Sequence, residues 1–211
     1  MPTRPITPTI PTPSVLASPD TAAAGTRTGT ARFDARWTGR SPAASADAIW
    51  VPAVSATLVL VVGVISLATG QPWLTAGLGP TAFLIASHPG SSSTRFHAIV
   101  TGHVVAFVCA WFALLLLGAT DSATLIGGHS IPVVRIWASA IAIAITALVQ
   151  PSLRAYHPPA AATALLVTAG AYKLTWKTSF SMLAGVLVMA LLGEWFQRIR
   201  LKERPARSTK A

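Results

Sequence analysis

Of 211 residues, 52% are hydrophobic and only 10% are charged. A water-facing domain carries about a quarter charged residues, so the composition excludes an ordinary soluble globular protein and implies an integral membrane protein in contact with the lipid bilayer. The formal net charge is +10, but the basic residues gather outside the apolar runs. Arg27, Arg32, Arg36 and Arg40 precede the first, while Arg198, Arg200, Lys202, Arg204, Arg207 and Lys210 follow the last. Charge placed this way orients helices and touches anionic headgroups, which argues against nucleic acid as a partner.

Residues 1–46 are rich in Pro and Thr, then in Ala, Gly, Ser and Arg. They lack the apolar periodicity that would offset the entropy of ordering and read as a disordered basic tail. No short apolar core near the start suggests a cleaved signal, whereas the Arg- and Ser/Thr-rich composition leaves an organellar transit peptide open. A transmembrane domain over residues 47–201 and a short basic tail over 202–211 complete the expected organisation.

Four apolar runs approach the ~20 helical residues that a hydrocarbon layer of about 30 Å requires. They are Ile49–Thr69, His97–Leu117, Val133–Gln150 with its next turn, and Phe180–Phe196. Trp50, Trp111, Trp137 and Trp195 fall near their ends or first turns, where indoles favour the interface. Two further stretches are too short or too broken: Pro72–Ser87, interrupted by "GLGP" at Gly77–Pro80, and Pro158–Gly170.

The order is long, short, long, then long, short, long. "GPTAFLIA" and "PPAAATALL" each put proline before a small apolar half-helix, and each is followed by a polar stretch and a span with a glycine a few residues in, Gly102 and Gly185. The expected fold is an all-α membrane protein, a compact helical bundle of four long spans plus two short or broken segments, with an inverted 3+3 repeat as its organising symmetry. The positive-inside rule favours six crossings over four. It places both termini, Arg95 and Arg154 in the cytoplasm, with Arg135, Lys173, Lys177 and Asp121 outside; a plasma membrane is the expected location. A plain bundle of unrelated helices is the alternative. Small residues spaced by four (Gly102, Ala106 and Ala110; Ala140 and Ala144; Ser181 and Gly185) suit close packing in either.

Proline is tolerated in the first helical turn, so Pro158 and Pro159 read as a helix start with His157 near the N-cap. The free amides would be those of Ala160, Ala161 and Ala162. Pro80 would likewise expose the N–H groups of Thr81, Ala82 and Phe83. Helix N-termini favour anions, and two facing one another would bind a small one; the alternative for Pro-Pro is a plain connector.

His103, beside Gly102, lies well inside a span, where an ionisable group faces the bundle interior. Its bland alternative is a neutral ring hydrogen-bonded to a carbonyl. His88, His97 and His157 lie near the same features, and a histidine with a pKa near 6.5 carries a proton readily. His129, in "IGGHS", reads as a loop residue. A zinc site from His88, His103 and His157 is conceivable, but no pair has motif spacing and no intramembrane acid supports it, so neither a metal nor another cofactor is expected. Arg95 and Arg154 either attract an anion at the mouth of a path or anchor topology. Glu194 can pair with Arg198 at i+4. The one cysteine, Cys109, allows no intrachain disulfide. Walker, dinucleotide, H-E-x-x-H and G-x-S-x-G motifs are missing, and no enzyme is expected.

Together, "YHPPAAATALL", "LGPTAFLIAS" and "TGHVVA" resemble the HPP family of integral membrane proteins, whose name-giving motif stands here as His157, Pro158 and Pro159. The likeness extends over about Ile49 to Leu201. It implies a compact membrane domain, usually described with four spans, and a transporter role, with nitrite the cargo assigned in photosynthetic members. Two departures stand out. The family commonly continues its motif as Pro-Pro-Ala-Gly-Ala, whereas Ala161 occupies the glycine position; and the family's arginine lies nearer the Gly-His pair than Arg95 does. The expected function is transport of a small monovalent anion, nitrite first, between the two half-helices and lined by His157 and His103. Alternatives are a membrane scaffold or subunit binding partner helices, and a histidine-based intramembrane metal site. So short a chain leaves a homodimer open.

Overall fold

The structure, a computed structural model, describes residues 42–124, 130–172 and 174–203, with side chains from Asp47 onward. Most of the basic tail at 1–46, Lys173, His129 and the end of the C-terminal tail lie outside the described residues. The helical bundle is built from the unit Asp47–Ala211.

The described residues form six helices in order: α1 (Pro42–Thr69), α2 (Leu78–Ser87), α3 (Phe96–Leu116), α4 (Val133–Ser152), α5 (Ala160–Thr168) and α6 (Trp176–Glu203), with a 3₁₀ turn at Ser92–Thr94 before α3. Among the described residues there is no strand. The four longer helices are long and apolar enough to cross a membrane. Large apolar side chains such as Leu67, Val108, Phe112, Ile136, Leu148 and Leu191 are exposed on them, as a lipid-facing surface requires. The protein is an integral membrane protein, with four long helices and two short ones among the described residues. At about 1.5 Å per residue neither α2 nor α5 spans the layer alone.

Contacts between helix ends fix the path. Asp47, at the start of the described side chains, pairs with Arg200 near the end of α6, and Thr94, just before α3, bonds Gln197 of α6. The starts of α1 and α3 therefore share one end of the bundle with the finish of α6. Arg135, in the first turn of α4, bonds the carbonyls of Ser122 and Ala123 beyond α3 and of Thr168 at the finish of α5, which defines the opposite end. Residues 70–95 must then return the chain across the bundle, and residues 153–175 must do the same in the other direction. Each return consists of an irregular approach followed by a half-helix, α2 or α5, and the two half-helices run toward opposite ends.

Burial on the two short helices falls in the same register. Leu78, Thr81, Ala82, Ile85 and Ala86 are buried on α2, and Ala160, Thr163, Ala164, Val167 and Thr168 on α5. This i, i+3, i+4, i+7, i+8 pattern is one helical face. α2 buries it against Val54, Leu58 and Val62 of α1 and Val186, Met189 and Ala190 of α6. α5 buries it in a cluster of small residues, Ala106, Ala110 and Ala113 of α3 with Ala138 and Ala142 of α4, where small side chains let backbones approach. The spacing on α4 corrects the expectation for Ala140 and Ala144, which are exposed. The inward face is Arg135, Ala138, Ala142, Thr146 and Gln150, its phase set by the anchored Arg135.

Candidate functional site

The starts of the half-helices meet at one polar centre. Gly77, the N-cap of α2, lies so close to α5 that a Cβ would stand 2.6 Å from Thr163 Oγ1 and 3.5 Å from the His103 ring. Thr81 is the fourth residue of α2 and Thr163 the fourth of α5, both on the buried faces. His103 projects from the third turn of α3 and His157 from the approach to α5; both are fully buried.

Four contacts string these groups together. Thr163 Oγ1 lies 2.7 Å from His103 Nδ1; His103 Nε2 lies 3.0 Å from Thr81 Oγ1. Thr81 Oγ1 lies 3.1 Å from His157 Nε2, and His157 Nδ1 is 2.7 Å from the Ser93 carbonyl oxygen, which accepts from it. The Thr81 hydroxyl also has the Gly77 carbonyl within 3.0 Å. The imidazole centroids are 5.1 Å apart and tilted by 54°.

Two residues hold the approach to α5 in place. The Gln150 side chain donates to the Gly102 carbonyl at 3.1 Å and accepts from the His157 N–H at 3.0 Å. A Cβ at Gly102 would come within 2.7 Å of the His157 Cβ, so only glycine lets that segment lie against α3. The "GH" of "TGHVVA" is thus two jobs side by side: a gap for one histidine and the partner of it.

Several expectations are corrected. The amides of Ala160, Ala161 and Ala162 are not free: they donate to the carbonyls of His157, Pro158 and Pro159 at 3.0, 3.0 and 3.1 Å. The Pro-Pro segment turns through i→i−3 bonds before the helix, and the N-cap is Pro159 rather than His157. Pro80 does not begin α2. It is the third helical residue and exposed, so the amides of Thr81, Ala82 and Phe83 lie beyond the four that a helix start leaves unpaired.

The remaining candidates disperse. Pro158 is exposed and Pro159 half-buried. Arg95 is exposed, in a groove with Phe96, His97, Leu191, Glu194 and Arg198, away from the histidine pair. His88 is exposed beside Ser87, so it cannot join a three-histidine site; among the described residues no three His, Cys, Asp or Glu side chains gather as metal ligands. Glu194 and Arg198 pair at 3.1 Å, on the surface, where such pairs contribute about 0–1 kcal/mol. Thr163, Ser93 and Gln150 were not among the sequence candidates. A threonine at the same helical position in both half-helices was the signal available for the first.

Residues 40–206 fit the family model described as "HPP, transmembrane region". No curated protein and no solved structure matches significantly.

Proposed function

The chain belongs to the HPP family of membrane proteins, and from that premise and the geometry of the polar centre we propose that it transports a small monovalent anion across the membrane, nitrite being the first candidate. The observation that carries the reading is the buried Thr81–His103–His157–Thr163 centre, built where two half-helices begin. Polar and ionisable groups inside a membrane domain are costly and accompany ion or proton paths, and irregular backbone at depth accompanies transporter sites.

With the first-turn amides of α5 paired, recognition passes to side chains. Nitrite is a planar acceptor of hydrogen bonds. The Thr81 and Thr163 hydroxyls and the His103 ring would donate to it once they release one another, with the positive ends of α2 and α5 favouring the charge. In this reading the structure is a closed form, the inverted repeat is the device that opens it to either side, both termini are cytoplasmic, and a homodimer in the plasma membrane is the working assembly. His157 and His103 line the path; Gly102, Pro159 and the Ala160–Ala162 turn shape it; Arg95 lies at its mouth.

The test is uptake by the purified chain in proteoliposomes, comparing nitrite, nitrate, formate and chloride. Flux of at least one anion above empty vesicles is expected, nitrite highest. His157→Ala should insert and yet lose most of that flux. Absence of flux for all four anions defeats the reading, and normal flux in His157→Ala returns the motif to a structural role.

A further inference from the structure

The contacts at the polar centre fix more than position. A carbonyl oxygen only accepts, so the 2.7 Å contact with Ser93 requires His157 Nδ1 to carry hydrogen. In a neutral ring His157 Nε2 is then bare, and because Thr81 is the one hydroxyl against it, it takes the Thr81 proton across 3.1 Å in preference to the Gly77 carbonyl, the other acceptor of that hydroxyl at 3.0 Å. That proton being committed, the 3.0 Å contact between Thr81 Oγ1 and His103 Nε2 requires the ring to donate. His103 Nδ1 is thereby bare and accepts from Thr163 across 2.7 Å. Every group is satisfied, both rings are neutral, and they carry hydrogen on opposite nitrogens.

We propose that Thr163, His103, Thr81 and His157 form a proton relay of fixed polarity, which carries a proton between the α5 side and the Ser93 side as an anion passes. The proposal rests on the transport reading for its purpose. A proton added at His103 Nδ1, when α5 moves and Thr163 lets go, makes that ring an imidazolium. The Nε2–H proton then passes to Thr81 Oγ1, while Thr81 gives its own hydroxyl proton to His157 Nε2. His157, now charged, releases the Nδ1 proton to solvent water on the Ser93 side when the contact with the Ser93 carbonyl opens. One proton has entered and one has left, and no heavy-atom bond has changed.

The chain afterwards points the other way. His157 Nε2–H donates to Thr81, Thr81 donates to His103 Nε2, and His103 Nδ1–H faces Thr163. Thr81 is the pivot because its hydroxyl can donate to His157 Nε2 before the transfer and to His103 Nε2 after it, with the Gly77 carbonyl at 3.0 Å as a further acceptor in either state. The direct hydrogen-bond partners of the two rings are hydroxyls and a carbonyl, none of them charged. Of the buried charges on elements packed nearby, Arg135 of α4 is engaged by carbonyls of residues 122, 123 and 168, and Arg200 of α6 pairs with Asp47. While the relay holds its proton, the imidazolium is the cation that a passing anion meets.

Two measurements on the full chain test this. Nitrogen-15 spectra of histidine-labelled protein in bilayers, assigned with His88, His97 and His129 replaced, should show hydrogen on Nδ1 of His157 and on Nε2 of His103. The same nitrogen protonated on both rings overturns the polarity whatever the transport result. In proteoliposomes, nitrite entry and proton entry are recorded together. Proton entry should accompany nitrite in the wild type and in Thr81→Ser, and be lost in Thr81→Val and in Thr163→Val. Nitrite flux without proton movement in the wild type, or coupling retained in both valine variants, overturns the relay. No flux of any anion overturns the transport reading instead, and the spectra then decide the relay alone.

Discussion

The segment leading into α2 passes under Gly185 of α6, and the segment leading into α5 passes under Gly102 of α3. At the first, a Cβ would collide with the Trp73 carbonyl oxygen; at the second, it would stand 2.7 Å from the His157 Cβ and 3.3 Å from the Ala155 carbonyl oxygen. Each short helix thus lies against the last long helix of the other half, and each approach is admitted by a glycine. The next residue differs: Val186 follows Gly185, whereas His103 follows Gly102. Two positions before the N-caps Gly77 and Pro159 stand Thr75 and His157. Both halves solve the same steric problem, but the imidazole chemistry is placed on one side only. Close backbone packing is what the architecture demands; the histidine pair is an addition to it.

The largest expected effect tests the shared part. Gly185→Ala directs a methyl at a backbone carbonyl that cannot rotate away. The cost should reach or pass the upper end of the ~1–3 kcal/mol usual for overpacking, read as loss of folded protein on thermal unfolding in detergent. Gly102→Ala meets a side chain and should cost somewhat less, about 1–3 kcal/mol. It should also displace His157 and so reduce anion flux more than its stability loss explains. Equal flux losses at matched stability would mean that the two approaches are equivalent in function as well as in packing.

Next comes the polar support found only on the α5 side. Gln150→Leu removes the acceptor of the buried His157 N–H and the donor to Gly102, and an unpaired buried group costs about 1–3 kcal/mol. Flux should fall while Gly185 and α2 are untouched. Unchanged unfolding and flux in Gln150→Leu would show that the approach to α5 is held by packing alone, as the approach to α2 is.

Much of this frame was legible in the sequence. The run His97–Leu117 became Phe96–Leu116 and the run beginning at Val133 became Val133–Ser152, because unbroken apolar length is a local property. The half-helices were legible too, since Gly and Pro punctuate the chain wherever a helix is interrupted. Proline marks the first turn of a helix, however, and not its first residue. Pro80 occupies the third position of α2, still within the turn that needs no donor, so its proline signal was true and its register wrong. The i→i−3 bonds that occupy Ala160–Ala162 depend on how tightly the Pro-Pro turn closes, which residue types do not specify. Contacts across 60 residues, Thr163 with His103, or 64, His157 with Ser93, leave no trace in local pattern. Arg135 is the clearest case: one arginine at a helix start, which proves to be 2% exposed and bonded to carbonyls of the connection after α3 and of the last residue of α5.

The smallest expected effect concerns how the helices end. α3 and α5 close with glycine in the left-handed region, Gly118 at φ 58° and Gly170 at φ 73°. In each, the next amide bonds back to the carbonyl five residues earlier, Ala119 to Leu114 and Ala171 to Leu166, as in a Schellman cap. α4 closes in the same way, Ala155 bonding to Gln150, yet the left-handed residue is Arg154 at φ 52°. A side chain there costs about 1–2 kcal/mol, part of which glycine would give back through the freedom it has when unfolded. Arg154→Gly should therefore raise stability by roughly 0.5–1 kcal/mol, seen as a higher midpoint of thermal unfolding. The strain sits on the turn that delivers His157, so flux separates two reasons for the arginine. If the variant is more stable and carries anion as before, the charge serves orientation in the membrane. If it is more stable and slower, the guanidinium acts on the anion near the approach to α5, a role for which the glycines at the other two helix ends have no side chain.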